Sequence, residues 1–445
     1  MPRAIQSLLP QSLAFESAGP RAALAQLPQA PAVFVLSGAD SHAEPYIGRT
    51  PNLRARLERL LQPSPKHPRR LHLAGLVRRI AWQLTGSEFE SLLLQFNLLQ
   101  DQYGAKSLER MHLRAPAFVR FLGGNPYPRI TVTHRPSLRE ADWSYGPFPS
   151  RAAAERYSDE MLKLFLLRRC TFDLAPDPSY PGCVYSEMKM CLAPCFKGCT
   201  GERYAEESAD VQSFLATRGE SRLVTLRAQR DQASADLAFE SAAALHAQVQ
   251  RVESVRALAS ELVRPLSRLR AVILQTSATP GEVALFLFEN GLLRGPIAFS
   301  TQGMRIQNEQ SGSTSLFAQP LALEPVPEEP AESCHPERSL AASSPNAVEG
   351  PAFPDATSTS SSSKLPRTVL ESRLEAALDT VATTSSAPSA TVRQGHLALL
   401  KRWYYRPEAR RAGEIFFPDA EGRWPLRSIL RGIGRVAARS LTAAS

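Results

Sequence analysis

Apolar positions change their period twice within the first hundred residues. Pro31-Ala-Val-Phe-Val-Leu-Ser37 is a short strand-type run ended by the turn residues Gly38 to Asp40. Pro45-Tyr-Ile-Gly48 predicts a returning strand, so the two make a hairpin. Thr50 then caps a helix with Pro51 at its first position, running to Leu61 with Leu53, Leu57 and Leu60 on one side. Leu76 to Leu84 predicts a third strand, and Ser87 with Glu90 forms a capping box opening a second helix to about Tyr103. Residues 1–30, rich in Ala, Gln and Pro, read as a poorly ordered leader.

Further on, residues 202–216 and 221–262 carry apolar positions at helical spacing, parted by Arg218-Gly219. In the second of these helices Leu237, Ala244, Leu245 and Val249 form a stripe, and Ala242 and Ala243 permit close approach. Such a stripe serves either as ordinary core or as a docking face. The runs RAVILQT, EVALFLFE and LRGPIAFS within 269–300 predict a small antiparallel sheet. From Gly303 to Ala390 the chain is rich in Ser, Pro, Thr, Glu and Ala. It buries too little apolar area to offset its ordering entropy and is expected to be disordered, save a short helix at Thr368–Leu378. Pattern returns as a helix over Gly395–Tyr405 and a strand at Glu414–Phe417. The basic tail Arg423–Arg439 either contacts phosphates or is a solvated helix.

The division that results is a leader over 1–30, a first domain over 31–110 and a connecting strand and helix over 111–169. A cysteine segment over 170–200 and a helical hairpin over 201–264 follow. A small C-terminal α/β region spans 265–302 and 391–445, around the insertion over 303–390. The expected fold class is α/β of the α+β kind, with antiparallel or mixed sheets flanked by helices.

The 445 residues contain no apolar run of 18 or more, so no membrane span is expected. The N-terminus lacks a signal-peptide pattern, which predicts a cytoplasmic protein with reduced thiols. Net charge is +9, which suits an acidic polymer. Between Tyr46 and Arg79 nine basic residues (Arg49, Arg54, Arg56, Arg59, Lys66, Arg69, Arg70, Arg78, Arg79) stand against Glu58 alone. That density predicts a phosphate-contacting surface rather than a merely solvated face.

Five of the six cysteines fall between Cys170 and Cys199. Cys170, Cys183, Cys191 and Cys195 have the spacing C-x12-C-x7-C-x3-C, and Cys199 follows. Four soft thiolates converging on one point suit zinc or an iron–sulfur cluster, and spacing alone leaves the two open. A disulfide cluster would need an oxidising compartment. Cys334 is expected to be a free thiol.

A hairpin carrying Tyr46-Ile-Gly48, an arginine-bearing helix, a strand and then Ser87-Glu88-Phe-Glu-Ser-Leu-Leu-Leu94 resembles the GIY-YIG nuclease domain. The order of features is similar to the N-terminal half of the UvrC-type excinuclease subunit of bacterial nucleotide excision repair. Asn125 to Thr131, Tyr145-Gly-Pro-Phe148 and the cysteine spacing fit that family. Phe239-Glu-Ser-Ala-Ala-Ala-Leu245 resembles its UVR motif; together these cover about residues 31–260. The resemblance implies a [4Fe–4S] cluster on the four cysteines and docking on UvrB through Phe239, Glu240, Ala243 and Leu245. It also implies Mg²⁺-dependent incision 3′ to a lesion. Carried over by position, the second tyrosine is Tyr46, the helix arginine is Arg56, and Arg49 stands where the family usually has lysine. The first tyrosine is Phe34, a later tyrosine is Leu60, an asparagine is Ser107, and the metal-binding glutamate is Gln95. A neutral amide is a poor Mg²⁺ ligand. Glu88 lies two turns earlier, about 10 Å along the helix, too far to substitute directly. The family's RNase H-type nuclease and helix-hairpin-helix module are not expected before Ser445, which leaves the first domain to carry any activity. The expectation is a degenerate nuclease that binds DNA and a UvrB-like partner. Its rivals are a non-catalytic adaptor and a zinc-stabilised DNA-binding protein unrelated to repair.

Overall fold

Residues 8–16, 20–40, 43–62, 73–304, 365–382 and 389–444 are described by the structure, a computed structural model. They build three four-stranded antiparallel sheets flanked by helices, an α+β fold. Among the described residues no helix is long and apolar enough to cross a membrane.

The first sheet joins β1 (Gln11–Ala14), β2 (Ala32–Ser37), β3 (Tyr46–Thr50) and β4 (Arg79–Leu84) in the order β1-β4-β2-β3. The expected leader is therefore corrected. Gln11 to Ala14 pair with Trp82 to Arg79, and the short helix α1 (Pro20–Ala25) follows. Leu9, Phe15, Leu24 and Leu27 are buried, and this apolar surface is what holds the segment. Helix α2 (Leu53–Leu61) starts two residues later than expected, because the Asn52 side chain rather than Thr50 accepts from the Ala55 N–H at 3.0 Å. Helix α3 (Glu88–Tyr103) starts as expected at Ser87, whose hydroxyl accepts from the Glu90 N–H at 3.1 Å. Glu90 in turn accepts from the Gly86 N–H at 2.8 Å, and burial pushes its carboxyl up to about 6.

The second sheet, ordered β6-β5-β7-β8, uses β5 (Ala117–Phe121), β6 (Ile130–Thr133), β7 (Ser144–Phe148) and later β8 (Arg264–Pro265). Helix α4 (Arg151–Leu162) and α5 (Gly201–Ala216) bury Tyr157, Met161, Tyr204, Val211 and Phe214 against it. The single helix expected over 221–262 is two, α6 (Glu220–Ala235) and α7 (Phe239–Ala257), packed as a hairpin. Leu237 between them takes a left-handed φ of 58°, which ends α6 and reverses the chain.

The third sheet, β11-β10-β9-β12, comprises β9 (Ala271–Thr276), β10 (Glu282–Glu289), β11 (Leu292–Ser300) and β12 (Glu414–Phe416). Six consecutive residues of β10 are buried, so both faces of this sheet are covered. Val283, Leu285 and Leu287 meet Leu370, Leu374 and Leu378 of α8 (Arg367–Ala382) and Ile429, Ile433 and Val436 of α10 (Leu426–Ala444). Ala284, Phe286 and Phe288 meet Phe89, Leu92 and Phe96 of α3, and Leu397, Leu400 and Trp403 of α9 (Ala390–Tyr404). The C-terminal module is thus packed directly on the helix that carries Glu88 and Gln95. Helix α8 extends the helix expected at Thr368–Leu378, while the expected disorder over 305–364 and Cys334 fall outside the described residues.

Candidate nucleic-acid face and thiolate segment

Strand alternation separates the residues expected to form one catalytic site. In β3, Tyr46 and Gly48 face one side of the sheet while Ile47 and Arg49 face the other. On the first side Tyr46 lies beside Phe34, ring centroids 6.0 Å apart, and its hydroxyl accepts a hydrogen bond from Arg56 Nη2 at 3.2 Å. Both side chains are half-buried, on the hairpin and α2 respectively. On the second side Arg49 meets Glu88 at 3.6 Å. Glu88 also takes two hydrogen bonds from Arg406, at 2.8 and 2.9 Å, and Arg406 foremost holds its carboxyl below the usual range. Gln95 is half-buried two turns along α3, and its side chain takes part in none of the hydrogen bonds among the described residues. Leu60 is core, and the buried Ser107 hydroxyl donates to Gln100 at 2.8 Å.

The basic surface is likewise divided. Arg54 Nε donates to the Leu27 carbonyl at 2.7 Å and Arg79 to the Ser12 hydroxyl at 3.0 Å, so both fasten the N-terminal segment. Arg59 and Arg78 are exposed, and their side chains donate to local carbonyls, of Ala55 and of Gly75 and Val77. Arg69 and Arg70 lie outside the described residues. Helix α10 of the basic tail is amphipathic: Ile429 and Ile433 are buried, and Arg435 is paired with Glu414 at 2.6 Å.

The cysteine segment hangs from one buried cation. Arg168 donates to the carbonyls of Tyr127 and Phe172, each at 2.9 Å, and reaches Cys170 Sγ at 3.5 Å. Its own N–H donates to the Tyr204 hydroxyl at 3.1 Å, which donates to the Pro128 carbonyl at 2.8 Å. The Ala193 N–H donates to Cys191 Sγ at 3.3 Å, and Cys195 is buried. Burial, with the neighbouring sulfurs Cys170, Cys183 and Cys195, pushes the Cys191 thiol up to about 11. The four sulfurs share a neighbourhood, the other three each close enough to raise the thiol of Cys191. Among the described residues no group of three or more His, Cys, Asp or Glu is placed to hold a metal ion. Cys170 contacts Arg168, and Cys191 accepts from the Ala193 amide.

Residues 119–214, from β5 to α5, match the family model described as UvrC/Cho excinuclease, middle domain. The chain is similar to the UvrABC system protein C of Aromatoleum aromaticum, 30% identical over 237 residues, 53% of this chain and 39% of the relative. It is 28% identical to that of Symbiobacterium thermophilum over 296 residues, 66% of this chain and 46% of the relative. It is 28% identical to that of Alcanivorax borkumensis over 211 residues, 47% and 34% respectively. Over these residues the chain is similar to UvrC-type proteins. It spans about a third to under a half of the length of these curated UvrC relatives. No solved structure matches.

The stretch matched to the UvrC/Cho middle domain contains all five cysteines from Cys170 to Cys199 and the whole Arg168–Tyr204 anchor. The α6–α7 hairpin follows it. At the hairpin's tip Leu237 is 72% and Phe239 65% exposed, Glu240 and Ala243 are exposed, and Leu245 is packed toward the core. The residues that the sequence did not single out are Arg402 and Arg406, which lie over 300 positions from Glu88 and carry no local motif.

Proposed function

We propose that this UvrC-type protein acts in nucleotide excision repair by binding DNA through its first domain, with a phosphodiester-cutting site that has lost its metal ligand. The Arg56–Tyr46 hydrogen bond carries this reading, because it holds a guanidinium and a phenol side by side as a phosphate contact requires. A general base could act through the Tyr46 hydroxyl. Mg²⁺ would need a carboxylate, and the position implied for it is Gln95, while Glu88 is already paired to Arg49 and Arg406. The expected result with damaged duplex and Mg²⁺ is binding without nicking, and Arg56→Ala is expected to weaken binding several-fold. Nicking by the unmodified chain, lost in Arg56→Ala, overturns the lost-metal reading; nicking gained by Gln95→Glu supports it.

The exposed Leu237 and Phe239 support docking of the hairpin on a UvrB-like partner. Phe239→Ala is the variant to measure, with loss of a pull-down of that partner as the expected result. The thiolates fit a soft metal by chemistry, and Cys170, Cys183, Cys191 and Cys195 would hold a [4Fe–4S] cluster, or zinc in its place. A bound centre would supply the cationic charge that stabilises the thiolates and would draw the segment together. Anaerobic purification followed by iron, sulfide and zinc analysis is expected to find one centre per chain, and a metal-free, folded chain would retire this part.

A further inference from the structure

Glu88 is gripped from two modules at once. Arg406, two residues past the end of α9, binds both of its carboxylate oxygens, and Arg49 of β3 approaches at 3.6 Å. Arg402, one turn before Arg406, is exposed and adds its field at the same carboxylate. Two guanidiniums therefore contact one acid and a third stands one turn away, a surplus of two positive charges. The seam is open to water, since the side chains of Glu88, Arg49 and Arg406 keep 43%, 34% and 26% exposure. An ion pair that only fastened two modules would need one cation, and surplus like charge repels unless a further anion arrives. A phosphodiester offers two adjacent oxygens, as Glu88 does, and suits the same guanidinium forks.

We propose that the C-terminal module forms part of the phosphate-binding face: Arg402 and Arg406 receive a DNA phosphodiester, and Glu88 holds Arg406 and Arg49 at that seam and competes with the phosphate for them. This rests on the DNA-binding reading above and extends it to a second module. Glu88 is then a place-holder for phosphate, which gives the proposal a sign that a simple inter-module latch lacks.

The test is binding of the full chain to a fluorescent duplex across a series of salt concentrations. Each phosphate contact contributes a slope of about 0.9 in log affinity against log salt. Arg402→Ala and Arg406→Ala are each expected to lower the slope by about that amount and to weaken binding several-fold. Glu88→Gln is expected to strengthen binding several-fold, because it removes the competing charge. Arg402 is exposed, so its variant keeps the fold and decides the matter if Arg406→Ala is destabilised. Unchanged slopes in both arginine variants, with Arg56→Ala still impaired, overturn the proposal. So does weaker binding by Glu88→Gln, or an equal slope change in Arg251→Ala, an exposed arginine of the hairpin that reports general charge alone. A wild-type chain with no salt-dependent duplex binding overturns the DNA reading itself.

Discussion

Arg168→Leu is expected to lose roughly 2–6 kcal/mol of stability, because the Tyr127 and Phe172 carbonyls lose their donor and each orphaned acceptor costs about 1–3 kcal/mol. The arginine is 2% exposed, so water does not replace it without opening the domain. Its role is to fasten the start of the cysteine segment to the turn after β5. Tyr204 and Glu207 on α5 complete that fastening, the latter accepting from the Leu166 N–H at 2.7 Å. Two readouts follow. Urea unfolding of the middle domain should shift by the stated amount, whereas Arg203→Ala, a half-exposed ion pair with Glu206 and Glu207, should shift it by less than about 1 kcal/mol. Cys191 and Cys195, slow toward a thiol reagent when shielded, should react at least about tenfold faster in Arg168→Leu as the segment opens. Unchanged thiol reactivity would show that the cysteine segment is held by something other than this side chain.

How far the chain could be read depended on whether a local rule governed each element. The hairpin around Gly38 to Asp40 and the Ser87 start of α3 follow turn and capping chemistry that acts within a few residues, and both are found where the sequence placed them. The N-terminal strand was hidden because its stability comes from β4, some 67 residues away, and its own composition is bland. The α6–α7 break has no Gly or Pro to announce it; Leu237 takes a left-handed φ between two helices that pack on each other. At the candidate site the residue types were legible but their partnership was not. The alternation of β3 divides Tyr46 from Arg49, and Arg406 reaches Glu88 only because the third sheet docks on α3. One signal did foretell that docking. The run Glu282-Val-Ala-Leu-Phe-Leu-Phe-Glu289 is apolar at every interior position, and such a strand needs cover on both faces.

That docking should loosen in mild acid, through His396. The imidazole sits on α9, 4% exposed, edge-on to Phe96 of α3 at 5.4 Å. Its Nδ1 accepts from the Leu293 N–H at 3.0 Å, which requires the unprotonated nitrogen, and Nε2 faces Asn97 Oδ1 at 3.4 Å. Burial pushes its pKa down to about 4. A depressed histidine contributes stability above its unfolded pKa near 6.5 and loses it as pH falls toward the folded value. The shift corresponds to about 3 kcal/mol lost between roughly pH 6.5 and 4. Glu90, raised to about 6 by burial, acts in the opposite sense: its contribution is present at low pH and is lost as pH rises through about 6. The raw stability curve therefore mixes both groups, and the informative quantity is the difference between wild type and His396→Asn. Urea midpoints at pH 7 should favour the wild type, since Asn fills the buried site poorly, and the gap should narrow steadily down to about pH 4.5. A gap that stays constant with pH would mean that His396 titrates at its ordinary value, and that the seam between α3 and the C-terminal module is wet rather than sealed.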